Sequence, residues 1–361
     1  MALALTPGIG ATRLKALLDC FGSADGALAA PSAFLCRVPG LSPACATAIK
    51  GASAGQGADV LARVESLGAV CLLPGDAHFP SVLSDIPEPP QVLFALGRLE
   101  LLAPPAVAIV GSRDHSPYGA ECCRLIASQA ARAGIAVVSG MARGLDAVAH
   151  HAAVDARGGT IGVLGNGLGV VYPAANRSLY EQVERSGLLL TEFPPGERPH
   201  PGSFPRRNRL ISGLARVTVV VEAARGSGTM RTVESALEQG RDVMAVPGPI
   251  TSMTSEGTNR LIRDGAEPLL EMGDLLRHYG LVDEAGRAGE AGGRERQLAL
   301  PLSLSEFEAS VAITLGADTA IADDLALRLS QPVGAVLDAL SGLELAGVVE
   351  AVPGGRFRRR G

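Results

Sequence analysis

The chain has 361 residues, of which 47% are apolar, and its formal net charge at neutral pH is −5. This length and composition favour two or three domains with large apolar cores. No run of eighteen uncharged apolar residues is present, and MALALTPGIGATRLK (1–15) lacks the basic-then-apolar order of a secretory signal. We therefore expect a cytoplasmic protein with no membrane segment. The six cysteines form no CxxC pair and have no histidine at zinc-finger spacing, so we expect no metal ion and no cofactor.

The first 65 residues contain two similar units. LTPGIGATRLKALL (5–18) and CRVPGLSPACATAI (36–49) each place a Pro-Gly turn before a short helix. Such a pair is typical of helix-hairpin-helix motifs, whose glycine turns present backbone N–H groups to phosphates. It is equally compatible with a small helical packing domain. We predict a helical domain of SAM or helix-hairpin-helix type over residues 1–65.

From residue 104 to residue 272, short β-branched runs alternate with helical stretches. The clearest runs are AVAIVG (106–111), IAVVSG (135–140), TIGVLGNG (160–167) and VTVVVEA (217–223). This alternation predicts an α/β domain over residues 66–280, with a parallel sheet covered by helices on both faces. Because ligands of such sheets bind at the carboxyl ends of the strands, we expect the functional residues in the turns that follow these runs.

Two of these turns favour a bound phosphate over a dinucleotide. AIVGSRDHSPYG lacks the G-x-G-x-x-G pattern of nicotinamide and flavin sites, whereas its Gly-Ser-Arg at a helix N-terminus suits a phosphate. RGSGT (225–229) enters a helix with exposed N–H groups and two hydroxyls, and it is not a Walker A loop. His150 and His151 lack a partner at metal-ligand spacing, so we interpret them as packed helix histidines. No set of catalytic nucleophile, base or paired carboxylates stands out.

The stretch SFPRRNR (203–209) combines one aromatic side chain with three arginines. Arginines neutralise phosphates and an aromatic face stacks on a base, which is the combination that single-stranded nucleic acid requires. Phe204 is equally compatible with a core position after a Pro-rich loop. The acidic net charge argues against a surface coated with nucleic acid, but salt screens charges beyond about 8 Å, so a local basic site remains effective.

The last eighty residues contain a linker and a third domain. Residues 281–300 are rich in Gly, Ala and charge without periodicity, which indicates a linker. Residues 301–361 show two amphipathic helices joined by a short turn and then a hairpin around PGG, the winged-helix pattern. The second helix (333–347) has no basic or amide side chain to read base edges. We therefore favour a structural or protein-binding winged helix over one that reads DNA.

Several motifs together carry a family resemblance. VAIVGSRDHSPYG, VVSGMARGLDAVAHHAAV, EFPPGERPHPGSFPRRNRLISGLA and VVVEAARGSGT occur in the order seen in the DprA (Smf) family of DNA-processing proteins. Residues 104–267 resemble that family closely. The helical N-terminal domain and the C-terminal winged helix resemble its longer members.

The resemblance implies an extended Rossmann-like sheet in a non-catalytic protein of natural transformation. Such a protein binds and protects single-stranded DNA and helps to load the RecA recombinase. It also implies a homodimer, with single-strand-binding protein as a further candidate partner. Matched motif by motif, the DNA site comprises Ser112, Arg113, Ser139, Gly140, Arg143, Asn166, Gly167, Phe204, Arg206, Arg207, Asn208, Arg209, Gly226, Ser227, Gly228 and Thr229, the last four as the floor of the pocket.

Two stretches depart from the family pattern. Residues 200–203 read HPGS where many members carry a lysine, so His200 or Arg206 would have to replace that charge. The helix after GSGT begins TMRTVESA where a more apolar stretch is usual, which leaves Arg231 without an assigned role.

Two other functions stay open at this point. The GSR and GSGT turns also resemble lysine-decarboxylase-like hydrolases of nucleoside monophosphates, whose signature is PGGxGTxxE. Glu234 comes two residues too late for that signature, almost half a helical turn away. In the other alternative, the winged helix is the working surface of a protein adaptor. We expect a DNA-binding protein that is not an enzyme.

Overall fold

A computed structural model of the protein describes residues 1–52, 54–282, 306–315, 319–329, 331–345, 348–352 and 356–359. The chain divides into two compact units, Met1–Glu284 and Ala285–Gly361. The first unit therefore contains both the predicted helical domain and the predicted α/β domain. Most of the predicted linker 281–300 lies outside the described residues.

Five helices form the N-terminal part of the first unit. They are α1 (Ala11–Phe21), α2 (Ala24–Ala29), α3 (Ser32–Leu35), α4 (Pro43–Gly51) and α5 (Ala54–Ser66). Apolar side chains of the first four helices enclose a separate core around Leu17, Leu35 and Ile49, whereas Val64 of α5 joins another core with Phe94. The last of these helices ends beside the boundary predicted at residue 65.

The two Pro-Gly turns of this region are held together by one arginine. Gly8 and Gly40 lie in the left-handed region, with φ of 82° and 79°, a conformation that favours glycine. Arg13 donates from Nη1 to the Gly8 carbonyl at 2.6 Å and from Nε to the Gly40 carbonyl at 2.8 Å. The turns therefore lie side by side, which suits both the helix-hairpin-helix and the packing interpretation.

A nine-stranded sheet forms the centre of the first unit. Its strands are β1 (Val70–Leu72), β2 (Leu93–Gly97), β3 (Ala106–Val110), β4 (Ala136–Ser139), β5 (Thr160–Val163), β6 (Leu188–Thr191), β7 (Val217–Val220), β8 (Asp242–Ala245) and β9 (Glu267–Pro268). Their order is β1-β2-β6-β5-β4-β3-β7-β8-β9. The β1–β2 and β2–β6 pairs are antiparallel and all other pairs of this sheet are parallel, which confirms the predicted Rossmann-like sheet and adds an antiparallel edge.

Helices cover both faces of this sheet. They are α6 (Pro117–Arg132), α7 (Leu145–Asp155), α8 (Arg177–Ser186), α9 (Ser203–Leu214), α10 (Thr229–Glu238), α11 (Glu256–Arg263) and α12 (Met272–Arg277). Alternate residues of β3 enter different cores: Val107 and Ile109 join the core that α6 and α7 cover, whereas Ala108 and Val110 join the one that α9 and α10 cover. Burial on both faces explains why the strands are continuous apolar runs.

His150 on α7 is fully buried, which confirms its interpretation as a packed helix histidine, whereas the same interpretation is wrong for His151, which is exposed. Its Nδ1 lies 2.7 Å from Thr160 Oγ1, and that hydroxyl donates its own hydrogen to the Val137 carbonyl at 3.0 Å. Nδ1 must therefore carry the hydrogen of a neutral ring. Burial, with smaller contributions from His151 and Arg207, lowers the pKa of His150 to about 3.

We expect this histidine to make the protein less stable in mild acid. An unfolded histidine binds a proton as the pH falls below about 6.5, whereas the folded one stays neutral, so the free energy of unfolding falls by about 1.4 kcal/mol per pH unit. Between pH 6.5 and pH 5 this amounts to about 2 kcal/mol. In urea unfolding, His150→Gln should lose about 2 kcal/mol less than the parent over that interval. Equal losses for His150→Gln and the parent would show that this histidine does not cause the pH dependence.

The second unit has the predicted winged-helix elements. They are α13 (Glu306–Leu315), β10 (Ala320–Ile321), α14 (Ala322–Leu329), α15 (Val333–Leu345), β11 (Val349–Val352) and β12 (Arg356–Arg359). The strands form a sheet in the order β10-β12-β11, and Val311, Leu325 and Leu340 are buried in its core. In the described parts of both units, every helix is too short or too polar to cross a membrane.

Candidate nucleic-acid interface

A pocket opens at the carboxyl ends of β3, β4 and β5. The turns after these strands contribute to it, together with the segment around Tyr172 and the first turns of α9. The described residues that line it are Arg113, Gly140, Met141, Ala142, Arg143, Gly165, Asn166, Tyr172, Pro173, Tyr180, Phe204 and Arg207. The structure thus brings together the predicted site residues Arg113, Gly140, Arg143, Asn166, Phe204 and Arg207.

Arg207 forms the floor of this pocket and is only 5% exposed. Its Nη1 donates to the carbonyls of Gly140 and Val163, which stand at the ends of β4 and β5. Burial lowers the pKa of Arg207, and the negative charge of Asp146 opposes that effect. The Arg207 side chain therefore links the carboxyl ends of β4 and β5. Its Nη1 hydrogens bond to these two carbonyls and are not available to a ligand.

Gly140 separates Arg207 from a buried carboxyl group. A Cβ atom at this glycine would lie 2.7 Å from Asp146 Oδ2 and 2.8 Å from Arg207 Nη1 and Nη2, so a side chain here would displace both groups. Asp146 is 8% exposed and accepts a hydrogen bond at 3.3 Å from the Ala142 N–H. Burial raises the pKa of Asp146, whereas the charge of Arg207 lowers it.

The turns after β3 and β4 pack closely against each other. Gly144 has a φ of 82°, and a Cβ atom there would lie 2.5 Å from the carbonyl oxygens of Ser112 and Arg113. The Leu145 N–H donates to the Ser112 carbonyl at 3.1 Å. This contact fixes the backbone positions of Arg113 and Arg143, whose side chains are both exposed at the pocket.

An asparagine that sequence reasoning missed holds the turn after β4. Asn176 Nδ2 donates at 3.0 Å to the carbonyls of both Met141 and Ala142. Met141 has a φ of 56°, which costs on the order of 1–3 kcal/mol for a side chain other than glycine. The available signal was the asparagine of the segment YPAAN, which follows a Gly-rich turn.

Two aromatic rings form one wall of the pocket. The ring centroids of Phe204 and Tyr172 are 5.5 Å apart, with an angle of 38° between the ring planes. Phe204 is partly buried, and a Cβ atom at Gly165 would lie 2.9 Å from its Cδ1, so the ring packs on the Gly165 backbone. Phe204 therefore lines the pocket as predicted, and Tyr172 is a second aromatic residue that sequence reasoning missed.

The other two arginines of SFPRRNR are paired with a buried carboxylate. Glu192 follows β6, and its Oε1 lies 3.0 Å from Arg206 Nε and its Oε2 2.6 Å from Arg209 Nη2. Burial lowers the pKa of Arg209, and Glu192 opposes that effect. The Arg206 side chain remains 57% exposed and its guanidinium carbon lies 5.2 Å from the Phe193 ring centroid. Arg209 therefore neutralises Glu192, and of these two cations only Arg206 reaches solvent broadly.

The pocket and the sheet can be compared with known proteins. The family model described as DNA recombination-mediator protein A matches residues 70–280. The chain belongs to this family. The family model for the DprA winged helix domain matches residues 296–355, which confirms the winged helix predicted at the C-terminus.

Relatives of this recombination-mediator family match most of the chain. Protein Smf of Escherichia coli is 41% identical over 295 residues, which cover 80% of this chain and 77% of that protein. The structure of DNA processing protein A from Streptococcus pneumoniae has a TM-score of 0.67 at 34% identity and covers 76% of this chain and 95% of its own. That of Helicobacter pylori DNA processing protein A, which concerns its single-stranded DNA binding mode, has a TM-score of 0.54 at 28% identity and covers 58% of this chain and 95% of its own.

The GSGT loop of this family member does not form the predicted floor of the pocket. Gly226, Ser227, Gly228 and Thr229 are absent from the described pocket lining, and Arg207 takes the place assigned to them. Gly226 and Gly228 are exposed, and a Cβ atom at either would meet nothing within 4 Å. The loop follows β7 on the same edge of the sheet, so its contact with DNA stays a prediction.

Other predicted site residues make hydrogen bonds to neighbouring groups of the protein. Ser139 Oγ donates to the Ile109 carbonyl at 2.7 Å, and Asn166 Nδ2 donates to the Val170 carbonyl at 2.8 Å. Further such contacts are Ser112 Oγ with the Asp114 backbone, Asn208 Oδ1 with Arg207 Nε at 3.3 Å, and the Gly167 N–H with the Glu197 carbonyl at 2.9 Å. Their side chains and backbone shape the site, and direct contact with DNA stays a prediction for each.

The lysine that many family members carry has two candidate replacements. Arg206 presents an exposed cation on the first turn of α9. The His200 ring instead packs edge-on against Phe193, with centroids 6.3 Å apart. Arg206 is therefore the better placed of the two to supply the charge.

Proposed function

We propose that this protein binds single-stranded DNA in the pocket at the carboxyl edge of its sheet. The observation that carries the proposal is the arrangement of exposed Arg113 and Arg143 beside the Phe204–Tyr172 pair. Arginines bind the phosphates of one strand, and the rings accept unstacked bases. A double helix hides its base faces, so a single strand is preferred. The single-stranded DNA binding mode of the Helicobacter pylori relative supports this function.

The same pocket supports a role without catalysis. The described residues that line it include no carboxylate, histidine, cysteine or serine. Asp146 lies behind Gly140 with its carboxyl group buried, so it is not offered to a ligand. We infer that the protein releases the bound strand without changing it chemically.

In the cell, the bound strand would be protected and passed to the RecA recombinase during natural transformation. The family's description as a recombination mediator supports this role. The protein would act as a homodimer, with single-strand-binding protein as a further partner. RecA filament growth on oligonucleotides coated with that protein, measured with and without this protein, tests the loading step.

Fluorescence anisotropy of labelled oligo-dT and of a matched duplex, over a salt series, tests the binding step. We expect tighter binding to the single strand than to the duplex. Each phosphate contact on a single strand adds about 0.7 to the slope of log affinity against log salt, so Arg113→Ala/Arg143→Ala should reduce that slope by about 1.4.

The matched control is Arg132→Ala/Arg185→Ala. These two exposed arginines end α6 and α8, at the opposite edge of the sheet, and their loss should leave the slope unchanged. Equal slopes for both double variants would overturn the proposed site. Failure of the parent to bind oligo-dT, together with release of adenine from AMP, would instead favour the nucleotide hydrolase.

A further inference from the structure

Tyr172 is the exposed member of the aromatic pair, with 46% of its surface accessible. The chain contains only four tyrosines and no tryptophan, so an exposed ring in a pocket is uncommon in this protein. Sequence motifs drew attention to Phe204 and left Tyr172 without a role. Its position beside two exposed arginines needs an explanation beyond packing.

The backbone that carries this ring is firmly held. Tyr180, a buried residue of α8, donates its hydroxyl hydrogen to the Tyr172 carbonyl at 2.9 Å. Four residues after Tyr172, Asn176 anchors the same segment to the turn after β4 through two hydrogen bonds of 3.0 Å. Because the backbone at Tyr172 is fixed, the protein loses little conformational entropy when a ligand stacks on the ring.

The spacing of the two rings decides where a flat ligand can lie. A base between two aromatic rings needs about 7 Å from ring to ring, since each stacked contact takes about 3.5 Å. The centroids of Tyr172 and Phe204 are only 5.5 Å apart and the planes are inclined by 38°. No base fits between them. Phe204 thus packs beside the Tyr172 ring, and the accessible part of the Tyr172 ring is left for a ligand.

We propose that Tyr172 is a stacking platform for one unpaired nucleobase, and that Phe204 holds this platform in place. This inference rests on the proposed function, because the neighbouring phosphates would bind Arg113 and Arg143. Stacking on an aromatic ring is tolerant of base identity, so this subsite selects single strands over duplexes and not one base over another.

Stacking and charge neutralisation respond differently to salt, which makes the role testable. Loss of a stacking platform weakens binding by about 5–150-fold per base. Tyr172→Ala should therefore weaken oligo-dT binding within that range at every salt concentration, with the slope of the salt dependence unchanged. Tyr172→Phe, which keeps the ring, should bind within about twofold of the parent.

An oligonucleotide without bases separates stacking from a merely structural role. On an abasic strand of the same length and charge, Tyr172→Ala and the parent should bind equally, because there is no base to stack. If the variant binds the abasic strand more weakly by the same factor as oligo-dT, then Tyr172 only maintains the fold of the pocket and the inference is wrong.

The absence of tryptophan from the chain offers a second readout. Tyr172→Trp introduces the single tryptophan of the chain, whose emission should be quenched by oligo-dT and not by the abasic strand. Tyr118→Trp is the matched control, since Tyr118 is 44% exposed and lies outside the pocket lining, and its signal should not change.

Failure of the inference can be told apart from failure of the proposed function. If the arginine variants lower the salt slope while Tyr172→Ala binds oligo-dT like the parent, the platform is refuted and the DNA site stands. If the parent binds no oligo-dT, both are refuted.

Discussion

Arg207→Ala is expected to destabilise the first compact unit by about 2–6 kcal/mol, because two buried carbonyls each lose a donor at a cost of about 1–3 kcal/mol. The side chain is 5% exposed and its Nη1 donates to the carbonyls of Gly140 and Val163. The substitution leaves both carbonyls short of a donor and leaves the buried carboxyl of Asp146 without its nearby positive charge. Urea unfolding followed by circular dichroism measures the change.

Arg143→Ala is the control for this experiment. Arg143 lines the same pocket but is exposed, so its loss should change stability by less than about 0.5 kcal/mol while it lowers the salt slope of oligo-dT binding. The opposite pattern, with Arg207→Ala as stable as the parent and the salt slope reduced by about 0.7, would show that Arg207 is a phosphate ligand and not a clamp between strands.

The sequence was sufficient to predict the edge of the sheet on which the site lies. Arg113 and Arg143 follow apolar runs, and the ends of neighbouring parallel strands meet at one edge. The aromatic and arginine side chains of SFPRRNR, and then the motif resemblance, added Phe204, which also reaches the pocket. The positions of Arg113 and Arg143 follow from local pattern and topology alone, because each residue stands within a few positions of the end of its strand.

The composition of SFPRRNR alone does not distinguish the separate roles of its three arginines. The structure places Ser203–Leu214 in a helix, with Pro205 in the first turn, where it is tolerated. Residues three apart lie on the same side of a helix. Phe204 and Arg207 therefore both face the pocket, whereas Arg206 and Arg209 both reach Glu192.

Contacts between distant parts of the chain explain the remaining omissions. Glu192 and Asn176 are polar residues whose importance depends on groups many positions away, at α9 and at the turn after β4. The antiparallel edge of β1 and β2 was missed for the same reason, since β2 pairs with β6 across a long stretch of chain. Nothing in the local spacing of these residues identifies their partners.

Gly167→Ala is expected to have the second large effect. A Cβ atom at this glycine would lie 1.8 Å from the Pro194 carbonyl oxygen and 2.8 Å from the Glu197 nitrogen. Both are backbone atoms, so no side-chain rotation relieves the clash and the loop after β6 must move. We expect a loss of about 1–3 kcal/mol in the free energy of unfolding, as for other overpacked sites. Urea unfolding of the variant and of the parent measures it.

Gly228→Ala is the matched control from the same set of predicted site glycines. Its added Cβ would meet nothing within 4 Å and its φ is −60°, so stability should change by less than about 0.5 kcal/mol. Equal free energies of unfolding for the two alanine variants would show that the loop after β6 moves away from the clash at little cost.

Movement of that loop should also reach the DNA site, because the loop continues directly into α9. Ser203 Oγ donates to the His200 carbonyl at 2.8 Å, which ties the end of the loop to the first turn of the helix that carries Phe204 and Arg207. Gly167→Ala should therefore weaken oligo-dT binding without changing the salt slope, since the exposed arginines of the turns after β3 and β4 keep their places. Wild-type affinity in a clearly destabilised Gly167→Ala protein would instead show that packing against the sheet positions α9 independently of the loop.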